Sequence, residues 1–142
     1  MLSGCAGGAS KPKPTELGPN VALLSAKLAW SSRVGEGSAM LVPAVNAAVV
    51  TVAGADGTVV ALDALTGRDV WRTTVADGLT AGVGSDGRYA AVVTKTNDLV
   101  VLQAGRELWR AKLNAPSFTA PLVAGGRVFT VTAGRSVSGF DL

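Results

Sequence analysis

Apolar and polar positions alternate in short runs along most of this chain, and the runs return in the same order. Thr58-Val59-Val60-Ala61-Leu62-Asp63 leads into Ala64-Leu65-Thr66-Gly67 and then Arg68-Asp69-Val70-Trp71-Arg72. Leu99-Val100-Val101-Leu102-Gln103 leads into Ala104-Gly105 and then Arg106-Glu107-Leu108-Trp109-Arg110. Gly67 and Gly105 stand 38 positions apart, and Trp71 and Trp109 the same 38. A weaker relative, Leu28-Ala29-Trp30, lies 41 positions before Trp71. A third copy of the upstream run, Ser136-Val137-Ser138-Gly139-Phe140-Asp141-Leu142, reaches the last residue. Runs this short with period-2 alternation predict strands, not helices. A repeat of about 40 residues built from such strands predicts the blades of a β-propeller or a similar stacked array.

One unit reads as an inner apolar strand, a hairpin, two middle strands and an outer strand carrying the tryptophan. The expected blades lie near 38–75, 79–113 and 117–142, the last one truncated, with residues 28–34 as a strand that closes a ring. In the first blade, residues 40–45 supply the inner strand and 47–53 the next. The turn Ala55-Asp56-Gly57 then leads back through 58–63, and 68–75 forms the outer edge. In the third, strands are expected over 118–123, 127–132 and 136–142. Residues 21–27 read equally well as a short helix or an extended lead-in. The expected fold is therefore all-β: a partial propeller of four-stranded antiparallel blades, about two complete and parts of others. Fewer blades than the usual four to eight leave a bare blade face and free edges.

Composition fits this reading. Of 142 residues 48% are apolar and 18 are glycine, which suits tight turns and close-packed strands. Lys and Arg exceed Asp and Glu by only 3, with the signs mixed along the chain. Without a concentrated basic patch, a nucleic-acid partner is not expected. The chain has no histidine, the commonest general base and metal ligand. Residues 37–55 are uncharged, yet Pro43, Asn46 and the alternation of Ala48-Val49-Val50-Thr51-Val52 favour a buried strand over a membrane helix.

The bland readings of the polar residues are the stronger ones. Trp30, Trp71 and Trp109 recur at one position of the unit, which indicates packing between blades, not a stack for a ligand. Asp63 and Asp141 end equivalent strands and are expected to close turns. Asp69 and Glu107, next to Arg68 and Arg106, are expected in surface ion pairs worth little each. Asp56, Asp86 and Asp98 are turn residues, too far apart in sequence for a calcium loop. Gly125-Gly126 is a hairpin, since no Lys-Ser/Thr follows it as in a phosphate loop. No catalytic residue, cofactor or metal is expected.

The start of the chain differs from the rest. Residues 6–20 are rich in Gly, Pro, Ser and Lys and read as a flexible tether. Before them stands Leu2-Ser3-Gly4-Cys5, which resembles the lipobox of bacterial lipoproteins. That resemblance makes Cys5, the only cysteine, a lipid-attachment site and residues 1–5 the remnant of a signal.

The motif Val-x-Ala-Leu-Asp-x-x-Thr-Gly-x-x-x-Trp, running from Val59 to Trp71, resembles the quinoprotein-like eight-bladed propeller repeat. The lipobox-like start, the proline-bearing tether and Ala29-Trp30-Ser31-Ser32-Arg33-Val34-Gly35 together resemble the BamB family of outer-membrane assembly lipoproteins. The likeness covers nearly the whole chain and corresponds to the first third or so of such a protein. It implies a non-catalytic scaffold of the β-barrel assembly (BAM) complex. Such a scaffold sits on the periplasmic face of the outer membrane, anchored by lipid, and binds the POTRA domains of the central barrel subunit. Of the family's functional residues only Cys5 carries over. Ala6 after it, not Asp, is compatible with sorting to the outer membrane. Two other readings remain at this point: a fragment of a quinoprotein dehydrogenase, or a ligand-sensing propeller domain.

Overall fold

A computed structural model of the chain describes residues 13–19, 24–37, 41–46 and 48–142. Cys5, the signal remnant 1–5, most of the tether 6–20, and part of the 21–27 lead-in lie outside them, as does Met40 of the first inner strand. The described residues contain strands and turns and no helix. Accordingly, no helix is long and apolar enough to cross a membrane.

Among the described residues, eleven strands form three antiparallel sheets in chain order. Blade 1 holds β1 (Ala44–Asn46), β2 (Val49–Ala53), β3 (Thr58–Asp63) and β4 (Asp69–Thr74). Blade 2 holds β5 (Leu79–Ser85), β6 (Tyr89–Thr94), β7 (Asp98–Gln103) and β8 (Arg106–Lys112). Blade 3 has three strands, β9 (Leu122–Ala124), β10 (Arg127–Thr132) and β11 (Ser136–Asp141). Two full blades and most of a third make this a partial β-propeller.

The sequence periodicity explains the packing. Along β6 and β7, successive side chains leave opposite faces of the sheet. Ala90, Val92, Val100 and Leu102 join Ala53 and Val59 of blade 1 in one core. Ala91, Val93, Leu99 and Val101 join Val123 and Val128 of blade 3 in a second. Blade 2 therefore buries both faces, which is why its middle strands read as unbroken apolar runs. Burial of each such Val or Leu stabilises the fold by about 1.5–3 kcal/mol.

Small residues stand where the inner strands converge. Val42 N–H donates to the Gly82 carbonyl at 2.7 Å, and Val83 N–H donates to the Val42 carbonyl at 3.1 Å. These bonds tie the inner edge of blade 1 to that of blade 2. A Cβ at Gly84 would run into the carbonyl oxygen of Pro121, so the approach of blade 3 depends on a bare backbone there.

Two expectations change. The first inner strand is short: Leu41 makes only an isolated parallel bridge to Gly82, and β1 begins at Ala44. In blade 3 the inner strand begins at Leu122, not residue 118, because Pro121 has no N–H for a ladder. Residues 28–34, expected to close the ring as part of a last blade, form no strand pairing with these three blades. On this side, residues 28–34 meet the 64–67 turn and the Arg72 guanidinium instead.

Candidate functional site

The repeated feature of this molecule is a tryptophan laid on a glycine of the next blade. Gly105 ends the short turn between β7 and β8 at φ 79°, and a Cβ there would contact the indole ring of Trp71. Gly67, at φ 69° in the turn between β3 and β4, lies under Trp30, and a Cβ there would enter the ring. Both backbones occupy the left-handed region that glycine adopts without strain. The Trp30 indole N–H donates to the Ala64 carbonyl at 3.0 Å, which fixes the ring over the turn. Trp30 thus stands to blade 1 as Trp71 stands to blade 2. Trp109 takes the same place on the far face of blade 2, beside Phe140 with ring centroids 6.0 Å apart. All three tryptophans are therefore in packing positions between or against blades.

Each outer strand carries a bulge just before its tryptophan. Ala61 pairs with Trp71 and Leu62 with Asp69, so Val70 has no partner. Val101 pairs with Trp109 and Leu102 with Glu107, so Leu108 has none. In a regular strand, residues three apart point to opposite faces. The extra residue turns Asp69 and Arg72 onto one face, and likewise Glu107 and Arg110. Arg72 Nε donates to Asp69 at 2.7 Å, and Arg110 Nη2 to Glu107 at 3.0 Å. The partners of Asp69 and Glu107 are thus Arg72 and Arg110, not the adjacent Arg68 and Arg106. The sequence held a signal for this: an acid and an arginine three apart, twice, around a tryptophan in a strand. Arg72 Nη2 also donates to the Arg33 carbonyl at 3.2 Å, holding the 28–34 segment against blade 1.

Most of the aspartates serve the turns. Asp63 Oδ1 accepts from the Thr66 hydroxyl at 2.7 Å and from the N–H groups of Thr66 and Leu65. The Thr66 hydroxyl first, then these backbone donors, hold its carboxyl below the ordinary 3.8. The Thr58 N–H does the same for Asp56, the Arg72 guanidinium for Asp69, and the Thr96 hydroxyl for Asp98. Asp86 accepts from the N–H groups of Arg88 and Tyr89. Asp141 instead pairs across strands with Arg127 at 2.8 Å, because the two residues face each other in the ladder. Among the described residues no group of acids, cysteines or histidines could hold a metal ion, and no cavity of ligand size opens. Among these residues the chemistry on offer is surface: turns, ion pairs and blade faces.

The family model described as "Outer membrane protein assembly factor BamB" matches residues 20–72 and again 55–142. The chain belongs to the BamB family. The BamB of Burkholderia pseudomallei is 38% identical over 89% of this chain, and that of Bordetella pertussis 32% identical over 99%. This chain spans 34% and 38% of the length of those two curated relatives, about a third. The crystal structure of BamB from Moraxella catarrhalis superposes with a TM-score of 0.60 at 26% identity, covering 71% of this chain and 30% of that one. A quinohemoprotein alcohol dehydrogenase from Pseudomonas putida superposes at 0.54 with 23% identity, over 70% of this chain and 18% of that one. That second likeness is one of fold. The double match of one BamB model to overlapping stretches reflects the internal repeat seen in the blades.

Proposed function

We propose that this chain is part of a non-catalytic outer-membrane assembly factor, a scaffold of the BAM complex that assists the folding and insertion of outer-membrane proteins. The observation that carries this reading is the match to BamB across both full blades and the truncated third. In it, the protein stands on the periplasmic face of the outer membrane, held by lipid on Cys5, with residues 6–20 as its tether. Residues 28–34 complete the last blade of the whole propeller, since Trp30 already occupies the place of an outer-strand tryptophan on blade 1. Its partners are the POTRA domains of the central barrel subunit, taken up on loops between blades. The bulges at Val70 and Leu108 and the flanking ion pairs make the outer edges of blades 1 and 2 poor templates for an added strand, which favours loops over edges as the docking element.

Binding of the full-length protein to purified POTRA domains, measured by calorimetry, tests the reading. Saturable binding is expected, and its absence at high concentration counts against the scaffold role. Lipidation is tested separately. Protein expressed with its own signal should partition into detergent and carry added mass, and Cys5→Ser should lose both.

A further inference from the structure

Antiparallel strands send successive turns to opposite ends of a blade, and the two ends of this molecule differ in charge. The turns after β1, β3, β5, β7 and β9 share one end. There the Asn46 side-chain N–H donates to the Ser85 carbonyl at 2.8 Å, and Trp71 reaches Gly105, so blades 1 and 2 stand in the same sense. Cations scattered along the sequence meet at this end. Arg68, Arg88, Arg106 and Arg127 each follow a turn glycine where an outgoing strand begins. Lys27 precedes Trp30 by the same interval as Arg68 precedes Trp71 and Arg106 precedes Trp109. All of these cations are exposed. The acids of this end are engaged. Asp141 pairs with Arg127, Asp69 with Arg72 and Glu107 with Arg110. Asp63 and Asp86 accept from the N–H groups of their own turns. Among the described residues Lys27, Arg68, Arg88 and Arg106 make no ion pair. The opposite end carries Glu36, Asp56, Asp77 and Asp98 against Lys95, Lys112 and Arg135.

The chain also enters the blades at the cationic end. Trp30 bonds to the Ala64 carbonyl there, and the Glu36 carbonyl accepts from the Ala55 N–H at 2.7 Å at the other end. Residues 30–36 thus cross blade 1 away from the cationic end, and the sequence that includes Cys5, Lys11 and Lys13 is joined on the cationic side. Leu65, in the 64–67 turn, stands out from the same end at 86% exposure. We propose that this end is a membrane-facing surface that takes the phosphate headgroups of anionic phospholipids. Guanidinium N–H groups fit phosphate oxygens in pairs. Each cation near an anionic leaflet adds attraction that salt screens, and an exposed apolar side chain among cations suits the headgroup boundary. The surface sets orientation. A flexible tether by itself lets the blades turn freely, whereas the cations hold this end to the leaflet and leave the acidic end facing away. The proposal deepens the membrane placement given above and rests on it.

The test uses the 142-residue chain with Cys5→Ser, which carries no lipid, so vesicle binding reads the surface by itself. At low salt the chain should co-sediment with vesicles of phosphatidylglycerol and phosphatidylcholine in equal parts, and not with phosphatidylcholine alone. High salt should release it. Arg68→Glu with Arg106→Glu should lower the partition coefficient about tenfold or more. Lys95→Glu with Arg135→Glu changes the net charge equally at the far end and should lower it far less. Circular dichroism checks that both doubles are folded. A polarity-sensitive dye on Leu65→Cys should shift to the blue on anionic vesicles, and the same dye on Lys95→Cys should not. Failure to bind anionic vesicles overturns the proposal. Equal losses in the two doubles overturn it too, because net charge and not this end is then read, as does a blue shift at Lys95→Cys. A full-length protein that carries no lipid on Cys5 would strike the anchor and leave the vesicle result standing, so the two readings fail separately.

Discussion

At the scale of the residue, the weight of this fold falls on a few positions that look alike in sequence. Val70 and Trp71 are neighbours in one strand, but Val70 is the unpaired bulge residue and 57% exposed, while Trp71 packs into the core between blades 1 and 2. Trp71→Ala should cost about 2–3 kcal/mol, since a large half-buried ring that packs on the core between blades 1 and 2 is lost. Val70→Ala should stay within about 0.5 kcal/mol. Urea unfolding of the two variants compares them directly, and equal losses would contradict the packing role of the tryptophan. The aspartates give a second residue-scale expectation. Asp56, Asp63, Asp69 and Asp98 all hold their carboxyls below 3.8 in the folded chain. A depressed folded value means that the stabilisation is complete above the unfolded value and disappears as pH falls through the folded ones. Stability should therefore be level from neutral pH down to about 5 and fall below about 4. In Asp63→Asn the fall should be shallower, measured as the urea midpoint against pH. A midpoint that rises on acidification would reverse the sign.

At the scale of the element, alternation decides which changes a strand tolerates. The bulge at Val70 is an insertion that the ladder steps over, so deleting it leaves Trp71 opposite Ala61 and Asp69 on the same face as Arg72. The deletion variant should fold with little loss, although its straighter outer edge should associate more readily. Deleting Thr73 is different, because it shifts the buried Val75 onto the wrong face. That variant should lose at least about 2 kcal/mol, read from its thermal midpoint and near-ultraviolet circular dichroism. Equal behaviour of the two deletions would mean that the register is not what holds this strand. The strands themselves were legible from short apolar runs bounded by turn residues, and β3, β6, β7 and β10 lie where the runs are. The bulges and the pairing of Asp69 with Arg72 were not read from the chain, because an adjacent arginine is the obvious partner until the backbone is seen to turn.

At the scale of the molecule, stability grades across the blades. Blade 2 has a neighbour on each face, whereas blade 3 has one. Amide exchange of the 142-residue chain should be slowest in β6 and β7 and fastest in β11. Gly84→Ala should widen that gap, because its Cβ meets the Pro121 backbone and blade 3 can no longer seat. Uniform exchange over the three sheets would show one cooperative unit in place of stacked ones. The order of strands, their grouping in blades and the tryptophan period were determined by the sequence alone, since each is a local pattern of apolar spacing and turn residues. The tertiary structure alone decided what lies across the gaps. Trp30 meeting Gly67 and Gly84 meeting Pro121 both join residues distant in the chain, and no local pattern encodes how closely two sheets approach.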